Sequence, residues 1–162
     1  MSLRSQSGDA HSWWVTMGGG LAMHGPVLGM TAGIDYCYQI DRSLISARLI
    51  GATNENPTVK QISPSATTYK LTDYGLLYGP LWPSGSWRMS VGAGIGLVRV
   101  TTESRGAMDT QSGVALPLEA QVSYRFTSFA GAGLYAYGSI NGVRTFGGVL
   151  LVVQLGSFST TD

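Results

Sequence analysis

The sequence predicts an all-β chain whose fold is an eight-stranded antiparallel up-and-down transmembrane β-barrel. Apolar and polar residues alternate with a period of two in segment after segment, which indicates strands that each have one apolar face. Only 12% of the 162 residues are charged, so the chain offers little polar surface to water. No apolar run approaches the roughly 20 residues that a membrane helix needs. Together these observations favour one membrane-crossing domain built from strands.

Three segments carry the alternation most clearly. In residues 87–97 the odd positions from Trp87 to Leu97 are apolar, and the even positions hold an arginine, a serine and three glycines. Those glycines, Gly92, Gly94 and Gly96, are expected to make room inside the barrel or to let the strand bend. Residues 114–126 and 28–38 repeat the pattern. Five weaker segments complete the eight strands: residues 13–23, 43–52, 67–79, 129–139, whose phase is ambiguous, and 144–156.

The connections between the predicted strands are of two kinds. Short turns rich in turn-forming residues lie at 39–42, 82–85 and 127–128, whereas the two longest loops lie at 53–66 and 102–112. Alternate connections of an up-and-down array lie at opposite ends, so one end is tight and also holds both termini. We predict a barrel over residues 12–158. We expect a polar lead over residues 1–11 before the barrel, with residue 1 as an artificial or a mature N-terminus. A polar tail over 159–162 follows the barrel.

Two observations predict that the apolar rows face lipid. The row in residues 87–97 rises about 25 Å at the usual strand tilt, which is the height of a lipid-facing band. Aromatic residues also gather near the termini and the short turns, as they do where a barrel meets the membrane–water boundary. The predicted aromatic girdle consists of Trp13, Tyr36, Tyr38, Tyr78, Trp82, Trp87, Tyr124 and Phe126.

The eight alternating strands, the tight turns at the terminal end and the closing segment LVVQLGSF at 151–158 resemble the small eight-stranded outer-membrane proteins of Gram-negative bacteria, the OmpX/Ail type. The resemblance implies a monomer in the bacterial outer membrane, in contact with the lipid bilayer and lipopolysaccharide. In that family an aromatic residue usually ends the last strand, and the assembly machinery reads it. Here four residues follow Phe158, which lies out of phase with Leu151, Val153 and Leu155.

The inward row of the predicted barrel carries charged and amide side chains. Charges in so narrow an interior are costly unless they are paired, so we expect an ion-pair and hydrogen-bond network in the lumen. We expect Glu119 to pair with Arg48 or Arg88 and the network to plug the interior instead of leaving a pore. The predicted members are Asp35, Arg48, Arg88, Glu119, Gln121 and Arg125, with Asp73 as a further candidate.

The charge balance and the cysteine count exclude several functions. A net charge of +1 excludes a polybasic nucleic-acid binder, and one cysteine, Cys37, excludes an intramolecular disulfide and a cysteine-cluster metal site. No cofactor or metal is expected. Basic residues near the long-loop end are expected to face lipopolysaccharide phosphates or water: Lys60, Lys70, Arg99 and Arg105.

The leading interpretation is a non-enzymatic outer-membrane barrel with a structural or surface-interaction role, whose exposed loops 53–66 and 102–112 contact an unknown extracellular partner. Two alternatives stay open. A lipid A-modifying enzyme would need a histidine beside a serine and an acid, and His24 has no serine flanking it on its strand face. A soluble barrel would place the apolar rows inside, around a small apolar ligand.

Overall fold

The computed structural model describes residues 11–25, 27–54, 68–104 and 107–158. Each strand pairs antiparallel with the next one in sequence, and β1 pairs with β8 to close the ring. The predicted eight-stranded antiparallel up-and-down barrel is therefore confirmed. Within these ranges no helix is long and apolar enough to span a membrane. The strands are β1 Ser12–His24, β2 Val27–Ile40, β3 Ser43–Thr53, β4 Thr68–Ser84, β5 Trp87–Ser104, β6 Ala107–Arg125, β7 Ala130–Asn141 and β8 Phe146–Ser157.

The period-two alternation of the sequence becomes an alternation between the inside and the outside of the ring. Two adjacent tryptophans illustrate it: Trp13 is 46% exposed on the outside and Trp14 is 1% exposed on the inside. In β7, whose phase the sequence left ambiguous, Leu134 faces outward while Tyr135 and Tyr137 are buried inside. The outer surface is consequently covered by large apolar side chains, as a lipid-facing wall requires.

The tight end is built from turns whose residues suit their backbone angles. Two-residue turns join β2 to β3 and β4 to β5, and in them Asp41 and Gly85 have φ values of 53° and 60°. Positive φ at such positions matches the twist of the flanking strands. Between β6 and β7 the hydroxyl of Thr127 accepts hydrogen bonds from the N–H groups of Phe129 and Ala130, at 3.2 and 3.0 Å.

The predicted loop over residues 102–112 is wrong. The structure continues β5 to Ser104 and starts β6 at Ala107, with Thr102 paired to Asp109, so the hairpin extends through almost the whole segment. Beyond the apolar band the β6 arm of this hairpin is exposed on both faces over residues 107–112, and the β5 arm is half-buried on both faces over residues 101–104. Neither arm has a fully buried face there, so the ladder needs no apolar alternation and its sequence resembles that of a loop. The other predicted loop, 53–66, lies outside the described residues from position 55 onward.

Candidate functional site

A buried ion pair crosses the middle of the barrel interior. Arg48 on β3 donates from Nη2 and Nε to Oδ2 of Asp73 on β4, at 2.6 and 3.1 Å, and both side chains are fully buried. Arg48 also donates to the carbonyl oxygens of Leu118 and Gly138 at 2.7 and 2.9 Å, and Ser139 Oγ donates to Asp73 Oδ1 at 3.1 Å. The pair therefore ties β3 and β4 to β6 and β7 across the lumen.

The expected pairing of Glu119 with Arg48 or Arg88 is wrong. Glu119 accepts instead from Ser46 Oγ at 2.8 Å and from Tyr135 OH at 2.6 Å. The reason is geometric, because Asp73 lies diagonally opposite Arg48 on the neighbouring strand and takes two of its donors. Hydroxyl groups then satisfy Glu119.

A third polar group lies beside this network on β2. Asp35 accepts from Cys37 Sγ at 3.2 Å through Oδ2, while its buried Oδ1 has no hydrogen-bond partner. A cavity of about 10 Å³, lined in part by Asp35, Thr16 and Tyr135, adjoins it.

Aromatic rings lie inside the barrel at the tight end. The Arg88 guanidinium carbon lies 5.0 Å from the Trp14 ring centroid and 4.4 Å from that of Phe158. The two rings are 5.6 Å apart and belong to a buried cluster with Leu44 and Leu81. Phe158 is out of phase with the outward row because it turns inward to cover Arg88. Gln121 is also buried here, whereas Arg125 is only half-buried.

At the long-loop end the interior is apolar, which the sequence analysis did not anticipate. The ring of Tyr137 lies 6.1 Å from that of Phe146, within a buried cluster that includes Ile50, Leu71 and Val98. The inward row is thus polar in the middle and apolar at this end. These inward residues lie in the weaker strand segments or beyond residue 97, where the periodicity was hardest to read.

Most of the predicted girdle residues are exposed around the tight end. Tyr38 is half-buried, with its hydroxyl 3.3 Å from His11 Nδ1. Trp87 packs edge-on against Tyr124 at 5.1 Å, and Tyr124 packs against Phe126 at 5.5 Å. The exposed members are Trp13, Tyr36, Tyr78, Trp82, Trp87, Tyr124 and Phe126. Their role at a membrane boundary stays a prediction.

A free strand edge at the opposite end is the feature that the sequence analysis missed. The last β7 residue, Asn141, pairs with Ala115, so within the described ranges residues 107–114 of β6 have a strand partner only in β5, and the side chain of Val143 lies beside Gly113. The N–H of Arg125 donates to the Ser86 carbonyl on the β5 side, and the β5–β6 register is constant along its length. Because backbone groups alternate sides along a strand, those of Met108, Thr110 and Ser112 point to the open side.

Comparison with known proteins bears on the fold. No protein-family model matches the sequence, and no curated protein matches it either. Among solved structures, Neisserial surface protein A (NspA) superposes with a TM-score of 0.69 at 16% identity, covering 92% of this chain and 99% of that one. The chain has the fold of the small outer-membrane barrels.

Two further outer-membrane barrels have the same architecture. Ail, the attachment invasion locus protein of Yersinia pestis, gives a TM-score of 0.62 at 12% identity and covers 90% of this chain and 97% of its own. The N-terminal β-barrel domain of Pseudomonas aeruginosa OprF gives 0.61 at 16%, with 90% and 96% covered. The resemblance inferred from the sequence is therefore confirmed for the fold.

Neither alternative function gains support from the site. A soluble barrel would carry charges outside, but the outward rows hold the large apolar side chains, such as Leu151 at 72% exposure. His24 ends β1, and its side chain lies outside the described part of the structure. Across the described ranges, His, Cys, Asp and Glu side chains form no group of three that could hold a metal ion.

Proposed function

We propose that this protein is a non-enzymatic barrel of the bacterial outer membrane that presents its long-loop end to an extracellular partner. Its apolar outer wall and its structural likeness to outer-membrane barrels support this location. Barrels of this kind have short turns on the periplasmic side and longer connections outside. The β5–β6 hairpin then extends away from the cell.

The filling of the interior supports a surface role over transport. The Arg48–Asp73 pair occupies the middle, the rings of Trp14 and Phe158 cover the tight end, and apolar side chains fill the long-loop end. Such an interior acts as a packed core that stiffens the wall. The surface above the membrane is then the part available for recognition.

The observation that carries the proposal is the edge of β6 at residues 107–112, which has no strand partner on the side away from β5 in the part of the chain that the structure describes. An unpaired edge can accept an extended segment of another protein as an added strand, with backbone hydrogen bonds giving affinity and side chains giving selectivity. Met108 is 72% exposed and alternates with exposed polar residues, so this edge is accessible. Among the structural neighbours, Ail forms a complex with a heparin analogue, which supports a surface-binding role for a barrel of this shape.

The test removes one donor from the open edge. Thr110→Pro deletes an N–H that points away from β5, and proline is tolerated at such edge positions. The matched control Thr110→Val keeps the N–H and changes only the side chain. A phage-displayed library of random dodecapeptides is selected on the refolded wild-type barrel, and heat-dependent gel mobility establishes that both variants fold.

We expect selected peptides to bind wild type and Thr110→Val equally and to lose binding to Thr110→Pro. Binding that is equal on all three proteins would refute edge recognition. So would a selection that yields no peptide distinguishing the two variants.

A further inference from the structure

Three buried hydrogen-bond donors in the tight-end interior have no acceptor among the described residues. They are Arg88 Nη1 on β5, Gln121 Nε2 on β6 and Trp14 Nε1 on β1. Their residues are 6%, 5% and 1% exposed, so water outside the barrel does not compensate for the missing acceptors. A buried donor without an acceptor carries its whole desolvation cost, and a guanidinium group carries the largest.

The three donor groups are neighbours in the fold. Arg88 pairs with Ser123 and Gln121 with Ser90, so the two long side chains are diagonal neighbours on the inward face of β5 and β6. Such neighbours are about 7–8 Å apart at the backbone, a distance over which two long side chains can reach a common atom. The Arg88 guanidinium carbon also lies 5.0 Å from the Trp14 ring centroid.

The positive charge of Arg88 has no carboxylate beside it. Within the described ranges Arg88 forms no salt bridge, and the charge of Arg125 acts on it repulsively. The rings of Trp14 and Phe158 offset part of the charge, but they offer no lone pair to the guanidinium N–H groups. The tight-end interior therefore lacks both a negative charge and a hydrogen-bond acceptor.

We propose that the tight-end interior binds one chloride ion, held by the N–H groups of Arg88 and Gln121 with the indole N–H of Trp14 beside them. A halide accepts several hydrogen bonds and brings no donor of its own, whereas water would add two O–H groups that need acceptors. Its single charge balances one guanidinium, and charge-assisted hydrogen bonds are strong. The site lies at the opposite end of the barrel from the β6 edge and does not depend on peptide recognition there.

The direct test is the width of the chloride NMR signal in the presence of the barrel in phosphatidylcholine nanodiscs. Chloride that exchanges with a protein site relaxes faster, so wild type should broaden the signal and added bromide should reverse the broadening by competition. Gln121→Glu should abolish it, because the new carboxylate accepts from Arg88 in place of the ion. The control Gln111→Glu makes the same change at an exposed residue of the β5–β6 hairpin and should broaden the signal as wild type does.

A second measurement uses the stability of the barrel. A ligand that binds only the folded state raises the folding equilibrium constant, about elevenfold for about 300 mM chloride and a dissociation constant of about 30 mM. Urea unfolding is therefore compared in sodium chloride and in sodium gluconate of equal ionic strength. Gln121→Glu should give the same constant in both salts. Gln121→Met, which removes the amide donor and adds no charge, should respond to chloride less than wild type does.

Three outcomes would overturn the proposal. The first is an equal chloride line width with wild type and with Gln121→Glu. The second is a wild-type folding equilibrium that is the same in chloride and in gluconate, because water or the amide oxygen of Gln121 would then satisfy Arg88. The third is an equal chloride response of wild type and Gln121→Met, which would be a general effect of the salt.

Discussion

Replacing Asp73 with asparagine removes the negative charge that balances Arg48 inside the barrel. Both side chains are fully buried, and the carboxylate accepts two hydrogen bonds from the guanidinium. Deleting one partner of a buried ion pair costs about 3–5 kcal/mol, because the other charge stays buried without compensation. Arg48 keeps its two carbonyl acceptors on β6 and β7, so we expect a loss of about 3 kcal/mol. That is a large part of a typical domain's stability.

Urea unfolding in phosphatidylcholine vesicles, followed by tryptophan fluorescence, measures this loss. In a double-mutant cycle, Arg48→Met/Asp73→Asn should cost clearly less than the sum of the two single variants, since no charge is then stranded. The control Asp109→Asn alters an exposed carboxylate bonded to Gln111 and should stay within about 0.5 kcal/mol of wild type. Additive single effects, or an Asp73→Asn variant within about 1 kcal/mol of wild type, would refute the reasoning.

Three further predictions use the same refolded protein. Gly94→Ala should lower the urea midpoint of unfolding strongly, because its Cβ would contact a backbone carbonyl of β4. The control Gly51→Ala should leave the midpoint nearly unchanged, because its Cβ would meet open space. Equal midpoints for the two variants would contradict this prediction. Phe158→Ala should lower the free energy of unfolding by about 3 kcal/mol, because it removes a buried ring from the interior of the tight end. Phe129→Ala, at an exposed residue of a tight-end turn, should lower it clearly less. The reverse order would count against the inward role of Phe158. If the proposed plug closes the lumen, planar-bilayer recordings should detect no steady large conductance, and a stable open channel would exclude the plug.

The outward rows were predictable because lipid imposes one simple rule on every strand. Each position that faces acyl chains must be apolar, so residues 87–97 revealed both their strand and their orientation. The requirement for apolar outward residues ends at the border of the lipid-facing band. Above the band neither face of the β5–β6 hairpin is fully buried, and a paired ladder there is indistinguishable in sequence from a polar loop.

The pairing inside the lumen could not be predicted for a different reason. The inward row holds carboxylates at 35, 73 and 119, of which Glu119 is the predicted partner of Arg48 or Arg88, and alternation alone does not say which carboxylate lies nearest to Arg48. The choice depends on the stagger between strands and on where hydroxyl donors such as Ser46 and Tyr135 reach. The stagger between strands and the reach of these hydroxyl donors are both defined only in the closed ring.

The glycines of β5 link the wall of the barrel to the chemistry of its interior. The sequence predicts that they make room inside the barrel or let the strand bend, and the structure shows a different use at two of these positions. A Cβ on Gly92 would lie 2.9 Å from Glu119 Oε1, so this glycine makes room for the carboxylate that Ser46 and Tyr135 hold. A Cβ on Gly94 would instead contact the Leu76 carbonyl, so that glycine allows β4 and β5 to approach closely. Substitutions at the two positions therefore disturb different things, the interior network in one case and the wall in the other.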